Sequence, residues 1–173
     1  MEEREWWYRL SFEVPPETPP ADEQHQLVFA GLDTFATIYL NGEELGEHRN
    51  MFRPAVFDVT SRLRRGVTNT LAVRFDPALQ RIAGKTLSEW GRNPERTAMR
   101  KAQFGYGWDW GPRLPTIGIW RPVEVRRQRR AAIVGVQFTT LDLSPGASRA
   151  AVAVRIETQR FATDSGPRQL FPA

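Results

Sequence analysis

Apolar and polar residues alternate with a period of two in a series of short segments, and this alternation is the strongest constraint on the fold. The first segment covers residues 6–14, where every second side chain is apolar: Trp6, Tyr8, Leu10, Phe12 and Val14. Successive side chains of a β-strand leave opposite faces, so the segment is predicted to be a strand whose apolar set faces a core. Prolines at positions 15, 16, 19 and 20 then break the strand.

Further segments repeat this pattern, and turn residues separate them. The clearest turn is Asn41-Gly42, because this dipeptide tolerates the two positive φ angles of a tight hairpin. The segments predicted to be strands are 27–30, 36–40, 56–60, 70–75, 117–125, 133–143 and 151–156. Short strands joined by turns are typical of a β-sandwich or barrel. One helix is predicted over residues 78–90, where apolar residues fall near helical spacing and Gly91 follows.

The last two strand segments indicate the beginning of a second domain. We therefore predict one domain over residues 1–128, followed over 129–173 by a linker and an incomplete domain. Two strands alone are marginal in water. Their apolar sets need a facing sheet, and these sets are Val134, Val136, Phe138 and Val152, Val154, Ile156. We expect residues 133–156 either to pair with another copy, giving a homodimer, or to be mobile. The arginine-rich run at 126–130 is interpreted as a solvated connector, with an anion-binding patch as the alternative.

Composition and motifs exclude several classes of function. The chain has no cysteine, so disulfides and thiolate metal sites are excluded. No membrane span or signal peptide is recognised, and a cytoplasmic location is expected. The net charge of +4 accompanies no nucleic-acid-binding motif. His25 and His48 form no metal-ligand spacing, and no phosphate loop, nucleophile elbow or cofactor fingerprint occurs. We expect no cofactor, no metal, and neither nucleic acid nor membrane as a partner.

The residues best suited to chemistry lie in a stretch without clear period, residues 92–116. A loop of that length in a compact domain is usually functional or disordered. It contains Trp108-Asp109-Trp110, in which a carboxylate stands between two indoles. Indoles stack on the apolar face of a pyranose, and a carboxylate accepts hydrogen bonds from sugar hydroxyls, each worth ~1.5–3 kcal/mol. The alternative is that the two indoles share one face and fill the core.

These motifs resemble a known family. Residues 100–112 (RKAQFGYGWDWGP) and 118–123 (GIWRPV) resemble the signature near the end of the N-terminal domain in family 2 glycoside hydrolases of the β-mannosidase type. The central hairpin of that N-terminal domain is matched by residues 36–42 (ATIYLNG), 45–46, His48 and 50–54 (NMFRP). Residues 57–60 and 69–73 also fit the family's pattern. The resemblance covers about residues 6–128, and the Trp-Asp-Trp segment favours mannosidase over galactosidase and glucuronidase members.

The resemblance implies a fold and a site. The fold is all-β, a jelly-roll-like, galactose-binding-domain-like β-sandwich, followed by the first strands of an immunoglobulin-like sandwich. The residues matching the family's contacts to the terminal mannose are Asp109 and Trp108, with possible supporting roles for Trp110, Arg100, Lys101 and Gln103. No catalytic residue is assigned, because the nucleophile and acid/base glutamates belong to a (β/α)8 barrel. Glu89 and Glu95 flank the loop, and we interpret them as solvated surface carboxylates.

The leading hypothesis is a non-catalytic N-terminal domain of a retaining β-mannosidase. Its partners would be a β-mannoside or mannose-terminated oligosaccharide and the rest of the parent enzyme, and the segment alone is predicted to be inactive. Two alternatives stay open. A stand-alone carbohydrate-binding module predicts mannose affinity in this chain, and an interaction sandwich without a sugar site predicts that the tryptophans are buried.

Overall fold

The computed structural model describes residues 2–85, 87 and 93–161, and these are almost entirely β-structure. The strands are β1 (Trp6–Glu13), β2 (Glu23–Phe29), β3 (Leu32–Asp33), β4 (Ala36–Leu40), β5 (Glu43–His48), β6 (Ala55–Asp58), β7 (Thr68–Phe75), β8 (Gly118–Ile119), β9 (Val123–Arg129), β10 (Ala131–Leu143) and β11 (Ala150–Arg160). The helical elements in these ranges are α1 (Ala78–Arg81) and 3-10 helices at Pro94–Ala98, Gln103–Tyr106 and Pro145–Ala147. The all-β class predicted from the alternation is confirmed.

Two sheets build the sandwich. One has four strands in the order β1-β7-β4-β5, and the other has three in the order β6-β2-β9. Both sheets contribute to one buried cluster, with Leu71, Val73 and Phe75 of β7 at most 5% exposed and Leu27 and Phe29 of β2 in the same cluster. Full burial of a side chain of this size stabilises a fold by about 1.5–3 kcal/mol. The alternation predicted over residues 70–75 therefore corresponds to one buried face of β7.

The hairpin between β4 and β5 turns at Asn41 and Gly42, as predicted. Their φ angles are 55° and 88°, the positive values that a tight hairpin requires. The Asn41 side chain donates to Asn69 Oδ1 at 2.9 Å and accepts from the Thr70 backbone N–H at 3.0 Å. The hairpin tip is thereby joined to β7.

The prediction for the first strand is correct in its type and only partly correct in its burial. Phe12 and Val14 pack against the core cluster. Trp6, Tyr8 and Leu10, in contrast, are 39%, 41% and 57% exposed. The reason is position, because β1 is the outermost strand of its sheet. An edge strand has a neighbour on one side only, so part of its core-facing set stays uncovered.

The predicted helix over residues 78–90 is wrong for its described part beyond Arg81. The α-helix ends there, and Gly84 then adopts a φ of 79°, a left-handed conformation that ends helices. Thr86 and residues 88–92 lie outside the described residues. Ile82 is 4% exposed and belongs to a second buried cluster with residues of the long loop. Its apolar character therefore reflects packing against that loop and not a longer helix.

The chain divides into two compact units, residues 1–18 with 25–126, and residues 19–24 with 127–173. The arginine-rich run at 126–130 is not mainly a connector, because β9 extends to Arg129. Arg129 and Arg130 each approach a carboxylate oxygen of Asp22 at 3.6 Å. The domain limits at 128/129 and the immunoglobulin-like character of residues 129–173 stay predictions. Residues 163–173, the last part of the predicted second domain, lie outside the described residues.

The second unit contains the β10–β11 hairpin. Val136 lies opposite Ile156 and Phe138 lies opposite Val154, so the two pairs share one face. These four residues are between 45% and 71% exposed. The register shifts between Ile133 and Gly135, which leaves Val134 outside the regular pairing. The hairpin predicted from the alternation is present, and its apolar residues are exposed.

Candidate functional site

Residues 108–111 form a tight turn in the long loop. Trp108 N donates to Gly111 O at 3.1 Å, and Gly111 N donates to Trp108 O at 3.2 Å. Asp109 and Trp110 therefore lie at the tip. Trp108 is 55% exposed and Trp110 is 87% exposed, and Asp109 is exposed as well. This 108–111 turn presents two indoles and a carboxylate together to solvent.

These exposures exclude one of the two interpretations of the tryptophan pair. The interpretation that both indoles fill the core is wrong, because the buried clusters contain neither of them. The guanidinium carbon of Arg96 lies 5.8 Å from the centroid of the Trp108 ring, within cation–π range. The turn thus has the elements of a sugar contact, aromatic faces beside a hydrogen-bond-accepting carboxylate.

A buried ion pair holds two points of the loop, one inside it and one at its end. Lys101 and Asp33 are 4% and 2% exposed, and Lys101 Nζ lies 2.5 Å from Asp33 Oδ1. Lys101 also donates to the Thr116 carbonyl, and the Thr116 hydroxyl donates to Asp33 Oδ2 at 2.6 Å. The network fastens positions 101 and 116 to β3. Lys101 therefore stabilises the loop through contacts inside the protein, because its ammonium group is already bound to Asp33 and to the Thr116 carbonyl.

Arg113 connects the end of the loop to the N-terminal segment and to the first part of the loop itself. It donates to both carboxylate oxygens of Glu2 at 3.1 and 2.9 Å and to Glu95 Oε1 at 2.7 Å. Burial lowers the pKa of Arg113, but these hydrogen bonds outweigh it and raise the pKa above its ordinary value. The interpretation of Glu95 as a solvated surface carboxylate is wrong, because its side chain is 18% exposed and pairs with Arg113. Glu89 lies outside the described residues.

Tyr106 fills the space beside Arg113. It is 1% exposed, its hydroxyl donates to Met99 Sδ at 3.0 Å, and burial raises its pKa to about 12. The Arg113 guanidinium carbon lies 4.8 Å from the ring centroid. Asn93 Nδ2 donates to the Tyr106 carbonyl at 2.7 Å. The middle of the loop is therefore packed, although its sequence has no regular period.

The remaining site candidates, Arg100 and Gln103, are both exposed. Gln103 begins a 3-10 helix, and the backbone of Arg100 bridges to Asn50. Their supporting roles stay predictions. In the part of the chain that the structure describes, no group of three or more His, Cys, Asp or Glu is placed to hold a metal ion. None of the described helices has the length and apolar character to cross a membrane.

The turn depends on a glycine that precedes it. Gly107 has a φ of 79° and a ψ of 176°, a combination that essentially only glycine adopts, at a cost of ~1–3 kcal/mol for other residues. An added Cβ would also lie 2.9 Å from the Gly111 carbonyl oxygen. We expect Gly107→Ala to lower the free energy of unfolding by ~1–3 kcal/mol and to displace the turn, measured by urea denaturation and by the indole NMR signals.

Gly111→Ala is the matched control for this substitution. A Cβ there would meet only the Trp108 backbone nitrogen, at 3.7 Å, which is ordinary contact. We expect its effect to stay within ~0.5 kcal/mol. Equal destabilisation by the two alanines would contradict a special role for the backbone at Gly107.

The fold agrees with the comparison to known proteins. Residues 1–121 match the family model described as glycosyl hydrolase 2 galactose-binding domain-like. The chain therefore belongs to the galactose-binding-like domain family of the family 2 glycoside hydrolases. The resemblance that the motifs predicted is confirmed.

Individual relatives narrow the comparison within that family. Beta-mannosidase B of Thermothelomyces thermophilus is 43% identical over 132 residues, which are 71% of this chain and 15% of that protein. Beta-mannosidase B of Emericella nidulans is 39% identical over 178 residues, covering 99% of this chain and 21% of that protein. The crystal structure of a β-D-mannosidase from Dictyoglomus thermophilum is 36% identical with a TM-score of 0.77, covering 92% of this chain and 20% of that one. The chain thus spans about a fifth of the length of such relatives.

Proposed function

We propose that this chain serves a retaining β-mannosidase as its non-catalytic N-terminal domain and that its 108–111 turn binds the terminal mannose of the substrate. The observation that carries the proposal is the joint exposure of Trp108 and Asp109 on a turn that buried contacts hold in place. Similarity to proteins named β-mannosidase supports the substrate class.

The two side chains have different roles in this proposal. The indole of Trp108 stacks on the apolar face of the mannose ring, and the carboxylate of Asp109 accepts hydrogen bonds from its hydroxyls. Trp110, Arg100, Lys101 and Gln103 support the turn or its surroundings. The bond is cleaved elsewhere, because a retaining mechanism needs two carboxyl groups about 5–5.5 Å apart on either side of the glycosidic bond. We assign that pair to the barrel of the parent enzyme.

The purified chain is expected not to hydrolyse p-nitrophenyl β-mannoside above the rate without protein, because no such carboxylate pair is assigned to it. Release of p-nitrophenol measures this directly. The control is an Asp109→Ala chain purified in parallel. Turnover that persists through repurification and disappears in the Asp109→Ala chain would place catalysis in this domain and overturn the proposal.

A stand-alone carbohydrate-binding module is the second candidate, favoured by the exposure of Trp108 and Trp110 in this chain by itself. NMR titration with methyl β-mannoside separates the two functions. A module gives saturable shifts of the indole signals of this chain that Trp108→Ala removes. A domain that only completes a larger site gives no saturable shift until the rest of the enzyme is present.

We also propose that the β10–β11 hairpin requires a partner surface. Leaving its six predicted core side chains wet would forgo roughly 9–18 kcal/mol of burial. We expect the chain to form a dimer through residues 133–156 or to have mobile amides there, and light scattering compared with a chain ending at Arg130 measures the difference. A monomer whose amides at 133–156 are strongly protected from hydrogen exchange would contradict this proposal.

A further inference from the structure

A groove of about 400 Å³ lies in the first unit, and its lining is rich in cations. Among the described residues, its lining includes the arginines Arg49, Arg53 and Arg100 and a single carboxylate, that of Glu47. No residue of the 108–111 turn lines it. Volumes of 300–1,000 Å³ are usual for small-molecule sites, so the groove has the size to accept one or two sugar rings.

The carboxylate of Glu47 does not neutralise all the arginines that line the groove. Glu47 Oε2 accepts hydrogen bonds from Arg49 at 2.5 Å and from Arg81 at 2.9 Å. The hydrogen bond from Arg49 holds the pKa of Glu47 below its ordinary value, so Glu47 is fully ionised and occupied at neutral pH. The other two arginines of the groove are Arg53 and Arg100. Neither side chain has an ion-pair or hydrogen-bond partner among the residues that the structure describes.

The backbone fixes the positions from which these two arginines extend. Met51 N donates to the Arg100 carbonyl at 2.9 Å, and Arg53 N donates to the Asn50 carbonyl at 3.4 Å. The same Asn50 carbonyl lies 2.5 Å from His48 Nε2. Both arginines thus extend from one hydrogen-bonded backbone segment, so the backbone does not have to be ordered when the two side chains bind one ligand.

The groove also has apolar lining. Val56 is one of its lining residues and is 51% exposed, so an apolar side chain is accessible to a ligand in the groove. A bare inorganic anion would gain nothing from such a surface. A ring with an apolar face and a carboxylate substituent uses both parts, since a guanidinium fork matches a carboxylate geometrically.

We propose that this groove binds the carboxylate of a uronic-acid-containing saccharide, with Arg53 and Arg100 as its hydrogen-bond donors. The site is additional to the 108–111 turn and does not depend on mannose binding there. Its ligand is recognised by charge together with a ring face, so the neutral sugar of the same shape binds poorly.

Isothermal titration calorimetry of the full chain with methyl β-D-glucuronide tests the proposal at low ionic strength, where charged contacts are least screened. Saturable binding is expected, and methyl β-D-glucoside is expected to bind at least ~10-fold more weakly because it lacks the charge-assisted hydrogen bonds. Arg53→Gln together with Arg100→Gln is expected to reduce glucuronide affinity by at least ~10-fold. Asp109→Ala is expected to leave that affinity unchanged, so failure of the mannose proposal and failure of this one are distinguishable.

The matched control is Arg9→Gln together with Arg127→Gln. Both are exposed arginines outside the groove, and the control changes net charge by the same amount. It is expected to bind glucuronide as the unaltered chain does. The proposal is overturned if the control loses affinity equally, if glucuronide does not bind, or if sodium sulfate or a short polyglutamate peptide binds as tightly as glucuronide. Circular dichroism verifies that both double variants are folded.

Discussion

Replacing Lys101 by methionine is expected to destabilise the domain by ~3–5 kcal/mol, the usual cost of removing one partner from a buried ion pair. Asp33 is 2% exposed, so its carboxylate would stay buried, and among the described side chains the remaining donors would be the hydroxyls of Thr34 and Thr116. Urea denaturation followed by tryptophan fluorescence measures the loss. Because positions 101 and 116 would no longer be held together, the signals of the 108–111 turn are also expected to broaden.

The chain offers a matched control, since Lys85 is its only other lysine. Lys85 is exposed and makes one long hydrogen bond to the Ala98 carbonyl, at 3.4 Å. Lys85→Met is expected to change stability by no more than ~0.5 kcal/mol. An additional Asp33→Leu substitution in the Lys101→Met chain is expected to recover part of the stability. If Lys101→Met costs under ~1 kcal/mol, the buried pair does not anchor the loop.

The second large effect concerns Asp109 in a complete enzyme that contains this domain. Asp109→Ala is expected to lower kcat/KM for an aryl β-mannoside by roughly 30- to 1000-fold, because charge-assisted hydrogen bonds worth ~2–4 kcal/mol are lost in the transition state. The thermal midpoint is expected to change little, since Asp109 is exposed.

Two further variants separate a sugar contact from a general effect. Asp109→Asn keeps a hydrogen-bond acceptor without the charge and is expected to fall between the wild type and Asp109→Ala. Asp142→Ala removes an exposed aspartate from the second unit and is expected to leave kcat/KM unchanged. A fully active Asp109→Ala enzyme would remove this residue from the site.

Local patterns predict the sandwich well because strands and turns depend on nearby residues. The strand at Ala36–Leu40 has the predicted bounds, and the φ angles of Asn41 and Gly42 follow from the dipeptide. The burial of a side chain depends less on nearby residues. Leu10 and Leu71 have the same place in an alternating pattern and are opposite one another across the β1–β7 pair. Leu71 is 5% exposed and Leu10 is 57% exposed, because only the sheet order distinguishes a central strand from an edge strand.

At the site, too, the sequence predicts local features but not the contacts between distant residues. The sequence identifies Trp108, Asp109 and Trp110 as the chemically distinctive residues, and the structure exposes all three. It does not identify Asp33 or Arg113, which hold the loop. Asp33 stands in an apolar stretch with no lysine or arginine nearby in the sequence, and its lysine is 68 residues away. No periodicity reports such a pair, because it exists only once the sheets have assembled.

These long-range contacts have a kinetic consequence. Lys101 meets Asp33 across 68 residues, and Arg113 meets Glu2 across 111. Contacts between residues so far apart form slowly, because a long segment must be closed before the contact contributes any stability. The hairpin at Asn41 and Gly42 closes locally and is free to form early. We therefore expect the 108–111 turn to acquire its shape late, so that molecules with a largely assembled sandwich do not yet present its indoles and carboxylate together.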